Sequence, residues 1–180
     1  MEPIKAAEDR TAAEMCHKGR WREVLAYAQK WREESTTDHR AHYYLGRGWS
    51  GMGQFAQAEA AYRQALAMEP TDFEVWNELT ELLYKKMRRP AEGIQCLEQA
   101  LQTNPQHKLG WLQLATMTGR MGRHQQALEC SDQALALDPK LVEAYLSKAA
   151  AARALGKIDI VKEVCHELAT LKPDSFRRAS

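Results

Sequence analysis

The sequence predicts an all-α fold built from about five helix-turn-helix repeats, and three observations lead to this prediction. Prolines recur at intervals of 35, 34 and 34 residues: Pro70, Pro105, Pro139 and Pro173. Glycines recur at the same period or at about twice that period: Gly19, Gly53, Gly122 and Gly156. Between these marks apolar residues keep the three- and four-residue spacing of amphipathic helices, and no segment shows the alternation of a strand.

The period divides the chain into five repeats, 5–38, 39–72, 73–107, 108–141 and 142–175, with a short tail at 176–180. We interpret 1–180 as a single repeat domain. We expect the glycine to end the first helix of a repeat, since glycine readily adopts the left-handed conformation of a helix C-cap. We expect the proline to end the second helix, because it has no N–H group and restricts the preceding residue.

The period and its residue types resemble the tetratricopeptide repeat over nearly the whole chain. Repeats two to four carry most of the pattern: Leu45, Gly46, Trp49, Gly53, Ala58, Tyr62, Ala65 and Pro70, then Trp76, Leu79, Ala100 and Pro105, then Trp111, Leu114, Ala115, Gly122, Ala127, Ala134 and Pro139. The resemblance implies a right-handed superhelical solenoid, because one helix pair cannot bury its apolar face without its neighbours.

Three repeats depart from this pattern. Repeat one lacks the final proline and has Trp31 where alanine is usual, which is typical of a terminal repeat. Repeat three has one extra residue in its turn at 85–90, and Gly93 replaces a packing alanine. Repeat five has Lys148 at a position where leucine is usual.

The resemblance further implies that the first helices line a concave groove that binds a peptide or protein segment, as in an adaptor, a scaffold or a co-chaperone. The groove positions are mixed in charge along the whole chain. Those of repeats two and three are polar, whereas those of repeats four and five include leucines and small residues. A ligand with a polar and an apolar stretch would suit them. The expected groove residues are Asp9, His17, Arg40, Tyr43, Arg47, Glu74, Asn77, Glu81, Tyr84, Lys85, Leu109, Leu112, Thr116, Arg120, Glu143, Leu146 and Arg153.

Two interpretations of this groove stay open. In the first, Arg47 and Lys85 contact an acidic or C-terminal group of a specific ligand. In the second, the groove side chains are simply solvated, and another surface or self-association does the binding. The residue set with which some relatives hold a chaperone's C-terminal carboxylate is not reproduced, so that function is not transferred to this chain.

The C-terminal edge is a second expected interaction surface. The last helix is rich in apolar residues, and terminal repeats normally need a polar outer face. We expect Val164, Leu168, Leu171 and Phe176 to be covered by the tail, by a partner helix or by a second copy. Self-association through this edge would make the chain a self-assembling scaffold, which is the alternative to the binding module.

Composition excludes several other classes of protein. The chain has 25 Lys and Arg against 24 Asp and Glu, so it lacks the basic excess of a nucleic-acid-binding protein. It has no apolar run of the roughly 20 residues that span a bilayer. The first ten residues are too charged for a signal peptide, which favours a cytoplasmic protein. We expect no nucleic-acid or membrane partner.

Several motifs resemble chemical sites, but their context favours a structural role. The glycines of 46–51 fit the dinucleotide-binding pattern, but they lie within a predicted helix and not after a strand. We interpret the four cysteines as small buried apolar residues in a reducing compartment. His39 and His42 are one helical turn apart but lack a third metal ligand. We expect no enzyme activity, no cofactor and no metal.

Two glycines in the first helix of repeat two have no evident purpose at the sequence level. Gly48 and Gly51 lie where a helix is expected, and an interior glycine costs about 0.5–1 kcal/mol relative to alanine. Replacement of Gly51 by alanine is therefore expected to stabilise the chain if the site is sterically open.

Overall fold

The computed structural model describes residues 2–171, with side chains from residue 8 onwards. Within this range the chain is entirely helices and turns, which confirms the all-α prediction. The helices are α1 (Glu2–His17), α2 (Trp21–Glu34), α3 (His39–Gly51), α4 (Phe55–Met68), α5 (Phe73–Glu81), α6 (Pro90–Thr103), α7 (Lys108–Arg120), α8 (His124–Leu137), α9 (Val142–Ala154) and α10 (Ile158–Leu171).

The helices fall into two compact halves. The N-terminal half, 1–103, contains α1 to α6, and the C-terminal half, 104–180, contains α7 to α10. Within each half, helices that follow one another pack together in pairs. The first helices of repeats two to five begin at residues 39, 73, 108 and 142, which are the first residues of the repeats in the sequence. A single domain over 1–180 stays a prediction.

The turn inside four of the repeats depends on a glycine with positive φ. Gly19, Gly53, Gly122 and Gly156 have φ between 66° and 75°, a conformation that costs other residues free energy. Each follows the first helix of its repeat, so the predicted C-cap role of these four glycines is confirmed.

The turn between repeats is fastened by an aromatic side chain six residues after the proline. Trp76 Nε1 donates to the Pro70 carbonyl at 2.8 Å, and Trp111 Nε1 donates to the Pro105 carbonyl at 2.8 Å. The Tyr145 hydroxyl donates to the carbonyl of Pro139 at 3.2 Å. The equivalent position of repeat two is His42, whose Nδ1 is buried and completes no hydrogen bond to the described residues.

The extra residue of repeat three is accommodated by a π-helical turn. Residues Leu82–Lys86 continue α5 with a wider spiral, and Arg88 then adopts a positive φ of 54°. A π turn absorbs one inserted residue without ending the helix. Arg89 fixes the exit of this turn, because its guanidinium contacts Glu59 at 2.6 Å and also Glu92.

The core of the N-terminal half is aromatic. Trp31 is 2% exposed and stacks on Tyr44 with ring centroids 6.0 Å apart, so a large residue fills the space where alanine is usual. Tyr43 and Tyr62 are fully buried beside them. The C-terminal half has a core of smaller residues, in which Ala127, Leu128, Ala151 and Ala152 pack against Ile160 and Val161.

The structure decides the condition set for Gly51 and corrects the expectation for one cysteine. A Cβ at Gly51 would lie 2.2 Å from the Trp21 ring, and a Cβ at Gly48 would lie 2.7 Å from Leu25. These glycines therefore let α2 approach α3 closely, and the site at Gly51 is not sterically open. Cys16, Cys96 and Cys130 are buried as expected, but Cys165 is exposed because it lies on the outer face of α10.

Candidate protein-interaction site

Arg40 joins three helices of the N-terminal half. Its Nε donates to Asp9 Oδ1 at 2.8 Å, and its Nη1 donates to Glu74 Oε2 at 2.8 Å and to Asp72 Oδ2 at 3.4 Å. Burial lowers the pKa of Arg40, but the bonds to Glu74 and Asp9 outweigh it and hold the pKa above its usual range. The structure therefore brings together the predicted residues Asp9, Arg40 and Glu74, and their charges are already paired with one another.

Tyr43 was predicted to line the groove, but the structure does not place it on an accessible surface. Its side chain is fully buried, so it cannot line a surface that a ligand reaches. The hydroxyl donates to Glu74 Oε1 at 2.7 Å and accepts from Arg47 Nη1 at 3.2 Å, and burial raises its pKa. The Tyr43 hydroxyl thus holds the side chains of Glu74 and Arg47 in place through these two hydrogen bonds.

The two cations expected to be available for a ligand are engaged within the chain. Arg47 Nε lies 3.8 Å from Glu78 Oε1, and Lys85 Nζ lies 2.5 Å from Glu81 Oε1. Glu78 was not among the predicted site residues, although its spacing of four from Glu74 was a visible signal. Of the remaining groove residues in this half, His17 and Lys85 are exposed, while Asn77, Glu81 and Tyr84 are half-buried.

The C-terminal half contains a cleft of about 390 Å³ between α7, α9 and the start of α8. It brings together four predicted residues, Thr116, Arg120, Glu143 and Leu146. The remaining lining is mostly small: Ala115, Gly119, His124, Ala127, Ser147, Ala150 and Ala151. His124 was missed by the sequence analysis, although its place as the first residue of α8 turns it toward this cleft.

A smaller hollow of about 240 Å³ lies beside the cleft and shares Leu146 and Ala150 with it. Arg153 and Val161 line this hollow. Leu146 is 56% exposed, so a large apolar side chain projects between the two spaces. The predicted residues Leu109 and Leu112 line neither of them, although Leu109 is 54% exposed.

The predicted C-terminal edge needs one correction. Val164 is 1% exposed and belongs to the interior of the C-terminal half, so it cannot contact a partner. Leu168 and Leu171 are half-buried, and Ile158 at the start of α10 is 55% exposed. Phe176 lies outside the described residues.

The histidines of repeat two make packing and hydrogen-bonding contacts and do not form a metal site with the acidic residues around them. His39 Nε2 lies 2.9 Å from Asp72 Oδ2, so this ring holds the carboxylate that caps α5. Burial lowers the pKa of His42, which points to a neutral packed ring. Between residues 8 and 171 no three His, Cys, Asp or Glu side chains are arranged to hold a metal ion.

Comparison with known proteins identifies the family. Two sequence-family models of the tetratricopeptide repeat match residues 51–114 and 110–141, which together span half of the chain. The chain belongs to the tetratricopeptide repeat family. No curated protein matches it by sequence.

Solved tetratricopeptide repeat structures share its fold at low sequence identity. The MamA protein is 16% identical with a TM-score of 0.71, and the match covers 95% of this chain and 91% of that one. A MamA fragment from Desulfovibrio magneticus RS-1, beginning at its residue 41, is 16% identical with a TM-score of 0.69 over 100% and 99% of the two chains. YrrB, described as having an unusual peptide-binding site, is 17% identical with a TM-score of 0.70 over 93% and 86%.

Membership in this family sets the general class of function. Tetratricopeptide repeat proteins are generally protein-interaction modules without catalytic activity, and they bind protein or peptide partners. None of the helices in the described part of this chain is long and apolar enough to cross a membrane.

Proposed function

We propose that this protein binds a peptide or protein segment in the cleft of its C-terminal half and acts as an adaptor or scaffold. The observation that carries the proposal is the cleft of about 390 Å³, in which an exposed leucine, Leu146, stands over a floor of alanine and glycine. Small residues let a ligand backbone approach closely, and an exposed leucine offers it apolar area to bury.

The polar rim of the cleft would orient such a ligand. Arg120, His124 and Glu143 supply cationic, imidazole and carboxylate groups to the lining. An apolar side chain of the ligand would pack on Leu146 and Ala150, and polar groups beside it would meet the rim. The unusual peptide-binding site named for YrrB adds support by analogy of fold. A cytoplasmic location stays a prediction.

A matched pair of leucine variants tests the proposal. Peptides selected from a displayed library of random short sequences against the whole chain would be measured by fluorescence anisotropy. Leu146→Glu should weaken their binding by about tenfold or more, because it places a charge in the apolar contact. Leu109→Glu is the control, since Leu109 is equally exposed but does not line the cleft. Equal losses in both variants, or none in either, would contradict a ligand site in the cleft.

A second candidate function is self-assembly through α10. The observation that favours it is the exposed Ile158 together with the half-buried Leu168 and Leu171 on the same helix. A second copy packed on these side chains would remove apolar surface from water.

A further inference from the structure

We propose that two turns of the C-terminal half bind the surface of an anionic lipid bilayer. The turns join α7 to α8 and α9 to α10, and they span residues 119–124 and 153–158. Together they form what we call the basic edge. The basic edge contains no Asp or Glu, and it contains four cations: Arg120, Arg123, Arg153 and Lys157.

A hydrogen bond holds the two turns of the basic edge beside each other. Lys157 Nζ donates to Gln125 Oε1 at 2.9 Å, so the turn before α10 contacts the start of α8. Each turn is tight, because Gly122 and Gly156 have φ of 75° and 70°. The cations of both turns therefore lie at the same end of this helix pair and its neighbour.

The positive charge of the basic edge is not neutralised by carboxylates of the described chain. Arg120, Arg123 and Arg153 are exposed, and none of them forms an ion pair with another described side chain. The carboxylate that follows the edge in sequence, Asp159, lies 3.7 Å from Lys162 Nζ. The edge therefore offers its charge to a partner from outside the chain.

Helix stability does not account for two of these cations. The carbonyls of Arg123 and Lys157 accept from the N–H groups of Ala127 and Val161 at 3.0 and 3.3 Å, so both residues lie at helix N-termini. A helix N-terminus carries a partial positive charge and prefers Asp, Asn or Ser. Arg123 makes no side-chain capping bond. Its charge is better explained by binding than by folding.

Apolar side chains project from the same turns. Met121, Leu155 and Ile158 are 42%, 37% and 55% exposed. They line neither the cleft nor the smaller hollow, so they do not form the wall of either cavity. Contact of such side chains with water is unfavourable. Cations around exposed aliphatic groups are the combination that binds at the boundary between lipid headgroups and acyl chains.

The chemistry of the basic edge favours a bilayer over other polyanions. The edge has no Phe, Tyr or Trp on which the bases of a nucleic acid would stack. Its aliphatic side chains project outward, whereas an acidic peptide needs a concave pocket for its own side chains. A bilayer accepts projecting aliphatic groups, and its anionic headgroups pair with the cations beside them.

The near-zero net charge of the chain is compatible with this surface. At the other end of the same helices, the turns 104–109 and 138–143 carry two cations and two carboxylates: Lys108, Lys140, Asp138 and Glu143. The positive charge of this half is thus concentrated in the basic edge. The expectation of no membrane partner rested on the charge of the whole chain and on spanning segments. A protein that binds at the bilayer surface needs neither an overall positive charge nor a spanning segment.

Vesicle sedimentation with the whole chain tests the role of charge. We expect binding to vesicles of equal parts phosphatidylserine and phosphatidylcholine, and none to phosphatidylcholine alone. Arg123→Gln with Lys157→Gln should weaken binding to the mixed vesicles by about tenfold or more, because two cations leave the contact. The matched control is Lys108→Gln with Lys140→Gln, which removes the same charge from the other end of the helices and should change binding less than about twofold.

A second pair of variants tests the apolar contact without changing charge. Met121→Gln with Leu155→Gln should weaken vesicle binding by about fivefold or more, because their apolar area no longer enters the bilayer. Met52→Gln with Met68→Gln is the control, since both methionines are 39% exposed and no cation lies within two residues of either. Ile158 is unchanged in all these variants, so they leave that residue of the α10 self-association surface intact.

A fluorescent label distinguishes insertion into lipid from other binding. Cys165 is the exposed cysteine of the described chain, so Cys165→Ser with Met121→Cys directs an environment-sensitive dye to position 121. We expect its emission to shift to shorter wavelength on the mixed vesicles, because the dye enters a less polar medium. The same dye on Met68→Cys in the Cys165→Ser background should show no shift.

Three results would overturn the proposal: no binding of the wild-type chain to the mixed vesicles, equal losses in the two lysine and arginine double variants, or no shift of the dye at position 121. Binding of oligothymidylate without binding of vesicles would assign the basic edge to a nucleic acid instead. Arg123→Gln with Lys157→Gln should leave peptide capture unchanged, because neither residue lines the cleft. Failure of one proposal is therefore distinguishable from failure of the other.

Discussion

Gly51 illustrates how a single residue sets the distance between two helices. The ring of Trp21 on α2 covers Gly51 so closely that a Cβ there would lie 2.2 Å from a ring carbon. The helical preference for alanine is worth about 0.5–1 kcal/mol, whereas overpacking of this kind costs about 1–3 kcal/mol. The steric penalty is therefore larger than the gain in helical preference, and alanine at position 51 should destabilise the folded chain.

We expect Gly51→Ala to lower the free energy of unfolding by about 1–2 kcal/mol in denaturant titrations. Gly119→Ala is the matched control, because a Cβ there would lie 3.6 Å from Ala127, an ordinary contact, and should be neutral or stabilising by up to about 1 kcal/mol. In a Trp21→Ala background the penalty at Gly51 should disappear. A penalty of equal size with and without Trp21 would show that the clash is not its cause.

At the scale of single helices, α7 begins with an unusual cap. The Nδ1 atom of His107 accepts from the Gly110 N–H at 2.9 Å, a role in which aspartate, asparagine and serine are common. Burial lowers the pKa of His107. A histidine can accept this bond only while its ring is neutral, so the cap is present near neutral pH and is lost in acid.

The cap makes stability depend on pH. Because the folded pKa of His107 lies below the unfolded value of about 6.5, the unfolded chain binds more protons in mildly acidic solution. The free energy of unfolding should therefore fall as the pH drops below about 6.5. His107→Asn keeps an acceptor and should reduce this slope, although His42, whose pKa is also lowered, will leave part of it.

The control for this measurement is His166→Asn, which removes an exposed histidine from α10. Denaturant titrations at pH 7 and pH 5 compare the variants. His107→Ala should lose about 0.5–2 kcal/mol at pH 7, since it leaves the α7 terminus uncapped. An unchanged pH dependence in His107→Asn would contradict the proposed link between the cap and stability.

At the scale of the whole molecule, the repeat was predictable because it depends on the backbone preferences of single residues. Pro70 restricts the backbone and Gly53 permits a left-handed turn wherever they occur, so their spacing predicted where helices end and where the repeat at Phe73 begins without knowledge of packing. The sequence-based prediction failed for residues whose burial or contacts depend on the packing of one helix against another. Helical spacing placed Tyr43 on a face but could not give its depth, because the covering residues come from other helices. The Trp21 contact of Gly51 is equally invisible in the sequence.

The candidate site was predictable to a smaller extent. Thr116, Arg120, Glu143 and Leu146 were expected on one surface and line one cleft, since equivalent positions of successive repeats meet. The pairing of Lys85 with Glu81 follows a four-residue spacing that the sequence already displays. The contact of Arg47 with Glu78 joins two helices, so it depends on the fold and could not be inferred from spacing.

The apolar side chains of α10 offer the protein a surface for self-association. Leu168 and Leu171 are half-buried and Ile158 is exposed, so a second copy could bury apolar surface here. Leu168→Glu with Leu171→Glu should turn a concentration-dependent oligomer into a monomer in light scattering. Val164 is unsuitable for this test, because a charge at a fully buried position would unfold the helix.

The matched control for this test is Ala169→Glu with Thr170→Glu, which adds the same charge to exposed positions of the same helix. If the leucines form the contact, this control remains an oligomer, because its new charges lie beside the apolar side chains and not on them. Monomers in both variants would attribute the effect to net charge. A wild-type chain that is monomeric at high concentration would rule out self-association through the α10 contact.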